Sequence, residues 1–242
     1  MNQTVSIPFF DSFGLPCGTT TRQFPLKITH SQQLLEKKNA ESVQKFLNLT
    51  PRGWAQAGQI HGSAVAVLEK NPKPSSEITL LPDTDGLITQ KPGHLLSIVT
   101  ADCLPVFFYL EGESAVGLVH AGWRGTMRQI VRNAVCFFER FSKNAPSELY
   151  AAFGTSIGPC CYEVGPELEP FFPKKLQKRG DHFYLDLVEE NRQQLLEAGL
   201  LPKKIGPAGP CGSCRLDQFY SYRREGVRAY RMLSWIALPG GV

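Results

Sequence analysis

The sequence predicts an α+β fold, with a mixed β-sheet core and helices that flank it. From residue 86 onward, short and nearly continuous apolar runs are typical of strands covered on both faces of a sheet. Helical segments lie between these runs at unequal spacing, whereas a doubly wound fold alternates strands and helices regularly. With 242 residues, of which 42% are hydrophobic, the chain is expected to form a single domain over residues 1–242.

The N-terminal half contains three local signals. Helix formers with apolar positions at helical spacing predict a helix over residues 31–48, with Ser31 as its N-cap. Two short strands are expected within residues 53–69, broken at His61 and Gly62. Residues 71–85 hold most of the loop signals and are expected to form an exposed excursion.

The later elements follow from changes in hydrophobic period. Thr126 is expected to cap a helix whose apolar positions run from Ile130 to Phe141, and residues 187–199 predict a second helix that ends near Gly199. Several short buried strands are expected within GLIT, HLLSIVTADCLPVFFYL and SAVGLVHAGW, another that ends in a tight loop within ELYAAFGTSIGPCCYEVG, and a final strand at RMLSWIAL.

Charge and cysteine content limit the class of protein. The net charge of +4 is not gathered into a long basic run, so no nucleic-acid arm is expected. The N-terminus lacks a signal-peptide pattern and no stretch reaches the ~18 apolar residues of a membrane span, so we expect a cytoplasmic protein with no membrane contact. Seven cysteines, an odd number, favour reduced thiols over a disulfide framework.

Three polar residues end apolar runs and are the main candidates for chemistry: His61 in QIHGSAV, Cys103 in TADCLPV and His120 in GLVHAGW. Each alone is more often a locally bonded or core residue than a functional one. All three are flanked by small or turn-forming residues, so their strand ends can converge. Two imidazoles and a thiolate suit Zn²⁺ and leave the fourth tetrahedral position open, as in catalytic zinc sites.

A second set of cysteines offers an alternative metal site. Cys160 and Cys161, together with the CxxC pair Cys211 and Cys214, have the composition of a Cys₄ zinc site. Successive side chains of a strand point to opposite faces, however, so the adjacent Cys160 and Cys161 are not expected to reach one ion. We therefore do not expect these four cysteines to form the principal metal site.

Several charged residues near these motifs have two interpretations each. Arg124 precedes a predicted helix N-terminus, where it could bind phosphate, or it could be a surface arginine stacked on Trp123. Asp102 could orient a ligand or point to the opposite face. Arg223 and Arg224 could line the site or pair with Glu225.

Six motifs, in order along the chain, resemble the YfiH or laccase-domain family: QIHGSAV, PDTDGLIT, TADCLPV, VHAGWRGT, IGPCCYEVG and FYSYRREG. The resemblance extends from about residue 54 to the C-terminus. It implies that His61, Cys103 and His120 bind zinc. The sequence departs from the family pattern in two places. TTTRQFP keeps Arg22 but lacks both glycines of the family's STRxGG turn, and RAYR replaces a common TGR.

The resemblance implies a zinc-dependent purine nucleoside phosphorylase that acts on adenosine, inosine or methylthioadenosine, with adenosine deamination as a second activity. Its partners would be the purine nucleoside and phosphate, with Arg22 and Arg124 as substrate-binding residues and Cys103 and His120 as catalytic residues. Three alternatives stay open: a copper-dependent polyphenol oxidase, a Cys103–His120 hydrolase or amidase that acts on muropeptide precursors, and a protein that binds without turnover.

Overall fold

The structure is a computed structural model, and it describes residues 3–30, 33–34, 36–68, 78–173 and 176–239. In chain order its strands are β1 (Thr4–Ser6), β2 (Cys17–Thr20), β3 (Gly53–Ala57), β4 (Val65–Leu68), β5 (Ile78–Leu81), β6 (Gly86–Thr89), β7 (His94–Thr100), β8 (Leu104–Leu110), β9 (Ala115–Ala121), β10 (Leu149–Phe153), β11 (Glu163–Val164), β12 (Leu176–Arg179), β13 (His182–Leu185) and β14 (Met232–Ala237). Its α-helices are α1 (Lys37–Leu47), α2 (Trp123–Met127), α3 (Ile130–Phe138), α4 (Ala145–Glu148), α5 (Leu187–Glu197) and α6 (Tyr222–Glu225).

Two mixed sheets form the centre of the fold. The first has six strands in the order β1-β2-β14-β7-β3-β5, and the second has five in the order β10-β8-β9-β6-β4. β3 pairs in parallel with both β5 and β7, and β4 pairs in parallel with β6, while the other pairs of these two sheets are antiparallel. The predicted α+β class with a mixed sheet is confirmed.

The alternation of side chains along each strand divides the core into layers. On β7, Leu96 and Ile98 join a cluster between the two sheets, while Leu95 and Val99 pack with residues of α1. On the far side of the second sheet, a larger cluster combines β8 and β9 with α3 and α5. Because both faces of both sheets are covered, their strands can be apolar at nearly every position.

The structure corrects two of the predicted helices. α1 begins at Lys37, later than expected, and Ser31 lies outside the described residues. The helix expected to begin at Thr126 is divided into α2 and α3 by Gln129, whose φ is +58°, so Thr126 lies inside α2. The predicted second helix is confirmed as α5.

The expected excursion over residues 71–85 is partly wrong. Residues 71–77 are outside the described part of the chain, but Ile78–Leu81 forms β5 and pairs with β3. Its four residues, ITLL, form a short apolar run, but the loop-forming residues around it, such as Pro82 and Asp83, give the stronger sequence signal. No helix within the described ranges is long and apolar enough to cross a membrane.

Candidate active site

His61, Cys103 and His120 come together where the chain passes between the two central sheets. His61 lies in the loop between β3 and β4, and Cys103 lies in the short crossover from β7 to β8. His120 is on β9, opposite Pro105 of β8. The ligand atoms of the three side chains lie within 4.8 Å of one another, and the two imidazole rings meet edge to face with centroids 4.9 Å apart.

The backbone around the three residues is unusual. Asp102, next to Cys103, has a φ of +86°, and Gln59 and His61 have φ near +60°. Such conformations cost free energy in residues other than glycine, and they cluster at functional sites. Gly122 packs tightly against the site, because a Cβ atom there would lie 3.0 Å from the Cys103 sulfur and would displace it. Strained backbone conformations and close packing therefore accompany the convergence of these three side chains.

Asp85, at the start of β6, connects the two histidines. Its side chain is fully buried, and its Oδ1 accepts a hydrogen bond from His120 Nδ1 at 2.8 Å. The same carboxylate accepts the backbone N–H groups of Ile60, His61 and Gly62 at 3.2, 3.0 and 2.7 Å. Since Nδ1 of His120 donates to Asp85, its Nε2 is left to face Cys103 or a metal ion.

Asp85 belongs to the PDTDGLIT motif, but it was not among the functional residues predicted from the sequence. The available signal was an aspartate directly before a buried strand, since a buried carboxylate must be paired or fully hydrogen-bonded. Burial alone would raise the pKa of Asp85, but the His120 imidazole and the N–H groups of Gly62 and His61 hold that pKa below its usual range. Asp85 is therefore a permanent anion beneath the site.

Charge pairing also sets the protonation of Cys103 and His120 when no metal is bound. Burial would raise the pKa of the Cys103 thiol, but His120 and then His61 lower it to about 6. Burial would lower the pKa of His120, yet Cys103 and Asp85 raise that pKa to about 9. Between these values the metal-free pair is a thiolate beside an imidazolium.

The donor set fits a metal ion of borderline softness. A tetrahedral zinc ion, with Zn–N of about 2.0–2.1 Å and Zn–S of about 2.3 Å, separates its ligand atoms by about 3.3–3.6 Å, so small side-chain movements suffice here. The Asp85–His120 hydrogen bond is the arrangement that commonly fixes a metal-binding imidazole.

A cavity of about 540 Å³ opens above the three residues, a size suited to a small organic ligand. Aromatic residues on its wall are Trp123, Tyr162 and Tyr222. Three arginines also line it: Arg124, Arg223 and Arg231. Their guanidinium groups give the cavity a positive charge that suits an anion.

The arginines identified in the sequence have different environments. Arg124 lines the cavity and also stacks on Trp123, with 4.3 Å between its guanidinium carbon and the ring centroid, so both interpretations of this residue hold in part. Arg223 reaches the cavity, and its backbone N–H donates to Asp102 Oδ2 at 2.7 Å, which explains the orientation of Asp102. Arg224 instead pairs with Glu225 and donates to the carbonyl of Ser213.

Arg22 is not among the described residues that line the cavity. Its guanidinium donates to the Leu216 carbonyl at 2.8 Å and to Glu225 at 3.1 Å, and it stacks on Tyr220. These contacts tie the TTTRQFP segment to the FYSYRREG segment. Arg231, from the RAYR segment that departs from the family pattern, also lines the cavity.

The four remaining candidate ligands also meet, contrary to our geometric expectation. Cys160 and Cys161 lie in a turn rather than a strand, and their sulfurs are 3.5 and 3.4 Å from that of Cys214. With Cys211, their sulfurs lie within 4.8 Å of one another. The expectation that adjacent side chains diverge was wrong because it assumed an extended backbone.

Comparison with known proteins identifies the family. The model of the family described as "Multi-copper polyphenol oxidoreductase laccase" matches residues 29–239. The chain belongs to this laccase-like family. The family description and the His/Cys donor set agree in favouring metal binding.

Relatives of this laccase-like chain carry a different description. This chain is 35% identical over 210 residues to the purine nucleoside phosphorylase YlmD of Geobacillus stearothermophilus, and the match covers 82% of this chain and 77% of the relative. It is 31% identical to the purine nucleoside phosphorylase YfiH of Escherichia coli, covering 97% and 89% of the two chains. The solved structure of Geobacillus stearothermophilus YlmD superposes with a TM-score of 0.85 at 29% identity, covering 99% and 97% of the chains.

The ion pair at the site predicts how the reactivity of Cys103 depends on pH. In protein stripped of metal by a chelator, alkylation of Cys103 by iodoacetamide should persist into mild acid and fall with a midpoint at a pH of about 6. In the His120→Ala variant the midpoint should move upward towards the ordinary thiol range, because the cation that stabilises the thiolate is lost. Peptide mass spectrometry gives the rate at each pH. The same midpoint in both proteins would contradict the ion pair.

Proposed function

We propose that this protein is a zinc-dependent purine nucleoside phosphorylase that acts on adenosine, inosine or methylthioadenosine and also deaminates adenosine. The proposal depends above all on one observation: His61, Cys103 and His120 converge at the base of a cavity lined by three arginines. Two relatives, from Geobacillus stearothermophilus and Escherichia coli, are described as purine nucleoside phosphorylases, which supports the same reaction class.

His61, Cys103 and His120 would hold the zinc ion, with Asp85 keeping the His120 ring in place. When bound, zinc would supply Lewis-acid chemistry to phosphate or to water. Copper is the alternative metal, because it binds most nitrogen and sulfur sites more tightly than zinc does. Imidazole and thiolate bind both metals, and we propose zinc because three protein ligands leave the fourth position of a tetrahedral zinc ion open to substrate.

Phosphorolysis requires that phosphate and nucleoside meet in one orientation. The bond between ribose C1′ and the purine nitrogen breaks, an oxygen of phosphate bonds to C1′, and the departing base takes up a proton. Arg124, Arg223 and Arg231 would bind and orient the phosphate by charge-assisted hydrogen bonds. The aromatic side chains of Trp123, Tyr162 and Tyr222 offer apolar surface for the purine.

Deamination would use the same cavity with water in place of phosphate. Water adds to purine C6, ammonia leaves, and inosine is the product. This reaction needs no anion, so it should depend less on the arginines than phosphorolysis does.

A second candidate function has one observation in its favour. Cys103, His120 and Asp85 form a linked series with the thiolate–imidazolium charge state of a cysteine hydrolase. Such an enzyme would act as the hydrolase or amidase considered for muropeptide precursors. His61 separates the two proposals, because it is a ligand in the zinc enzyme and has no required role in a dyad.

The decisive experiment compares the wild-type protein with His61→Ala, both purified without added metal. We expect His61→Ala to lose one equivalent of zinc and most of its activity, because only two ligands remain. Elemental analysis gives the zinc content. Chromatography of reactions with adenosine and phosphate gives the products, with adenine forming only when phosphate is present and inosine forming without it.

Two outcomes would contradict the proposed function. One is wild-type turnover of adenosine by His61→Ala, and the other is the absence of both adenine and inosine with zinc-loaded wild-type protein. Cleavage of an amide substrate by His61→Ala but not by Cys103→Ala would instead favour the cysteine hydrolase.

Arg124→Ala should weaken phosphate binding without loss of zinc. A hydrogen bond to a charged group is worth about 1.5–3 kcal/mol, so the KM for phosphate should rise roughly 10- to 150-fold. Deamination of adenosine should change much less. The matched control is Arg140→Ala, since Arg140 also stacks on a ring, that of Phe137, but is not among the residues that line the cavity. Equal losses in both reactions, or no loss in either, would show that Arg124 does not bind phosphate.

A further inference from the structure

A second group of four thiols lies outside the cavity. Cys160 and Cys161 belong to the turn that follows Gly158, and Cys211 and Cys214 belong to the CGSC turn about 50 residues later. Their four sulfurs lie within 4.8 Å of one another. Cys214 is almost equally close to Cys160 and Cys161, whereas a disulfide would join one pair only. Four donors around a common point are the pattern of a closed metal site.

Backbone N–H groups of both turns donate hydrogen bonds to the Cys211 sulfur. Gly158 N–H donates to Cys211 Sγ at 3.2 Å, and the N–H of Cys214 donates to the same sulfur. Gly212 N–H donates to the Ser156 carbonyl at 2.8 Å. Backbone N–H groups directed at a sulfur favour its thiolate form, which is the form that binds metal.

The two turns also pack closely against each other at Gly158. A Cβ atom at Gly158 would lie 3.3 Å from Cys211 Cβ and 3.4 Å from Cys160 Sγ. Cys160 and Cys214 are exposed, so an ion can reach the thiols from solvent. The cluster therefore has both the closeness and the access that a metal site needs.

We propose that Cys160, Cys161, Cys211 and Cys214 bind one structural Zn²⁺ ion that fastens the two turns together. Four thiolates around zinc, with Zn–S of about 2.3 Å, separate the sulfurs by about 3.8 Å, close to the 3.4 and 3.5 Å seen for two of the pairs. Binding converts thiols into thiolates and releases their protons to solvent. A complete set of four protein ligands leaves no position for substrate, so the ion is structural rather than catalytic.

This ion would support the wall of the candidate active site. Ile157 lines the cavity, and its N–H donates to the Asp102 carbonyl at 2.9 Å, beside Cys103. Arg224 donates to the carbonyls of Gly212 and Ser213 and belongs to the same short helix as Arg223. The zinc-bound turns are thus linked to both sides of the cavity, although the proposal does not depend on the reaction that the cavity performs.

The test uses protein that carries His61→Ala, so that the candidate active-site metal does not contribute. Purified under reducing conditions, this protein should contain close to one zinc per chain. Adding Cys160→Ser and Cys214→Ser, which alter the two exposed cysteines and leave two thiolates, should remove that zinc. Adding Cys136→Ser instead should not, because Cys136 is an exposed cysteine outside both groups.

Cobalt provides a second readout that needs no cysteine substitution. His61→Ala protein reconstituted with Co²⁺ should show the strong sulfur-to-cobalt absorption of a tetrahedral tetrathiolate site. Unchanged zinc content after the two serine substitutions, iron in place of zinc, or a disulfide among these cysteines in the reduced protein would each overturn the proposal.

Discussion

The buried carboxylate of Asp85 is the interaction on which the site depends. It holds the loop at residues 60–62 through three N–H groups and the ring of His120 through a fourth. A buried charge of this kind is stable only when its hydrogen bonds are complete. The carboxylate therefore fixes the positions of His61 and His120. In turn, the hydrogen bonds from residues 60–62 and His120 stabilise its charge in the core.

The two-sheet architecture explains why these residues meet in one place. β3 and β7 belong to the first sheet and β8 and β9 to the second, so the loops that leave them meet at the crossing between the sheets. Positive φ at Gln59, His61 and Asp102 shows that the crossing is strained. The packed layers on either side supply the stability that such a strained site requires.

Patterns in the sequence predicted the fold class and the candidate ligands, because buried strands have continuous apolar runs and His61, Cys103 and His120 interrupt or end them. The position of Asp85 before a buried strand indicated a paired carboxylate, but its partner His120 is 35 residues away, so the sequence did not identify the pair. The sequence also did not predict that the Cys160 and Cys161 sulfurs would both lie close to Cys214, because this depends on the turn conformation at residues 160 and 161. The position of Arg22 depends on contacts with the C-terminal segment, which are equally remote in sequence.

The most direct test is the zinc affinity of Asp85→Asn, measured by competition with a chelator in protein that also carries Cys160→Ser and Cys214→Ser, so that only the His61–Cys103–His120 site binds zinc. The neutral side chain keeps the shape of Asp85 but removes the charge that orients and polarises His120, and we predict zinc binding about 10- to 100-fold weaker. Asp83→Asn is the control, because Asp83 is exposed in the same loop. An unchanged zinc affinity in folded Asp85→Asn protein would contradict the central role of this carboxylate.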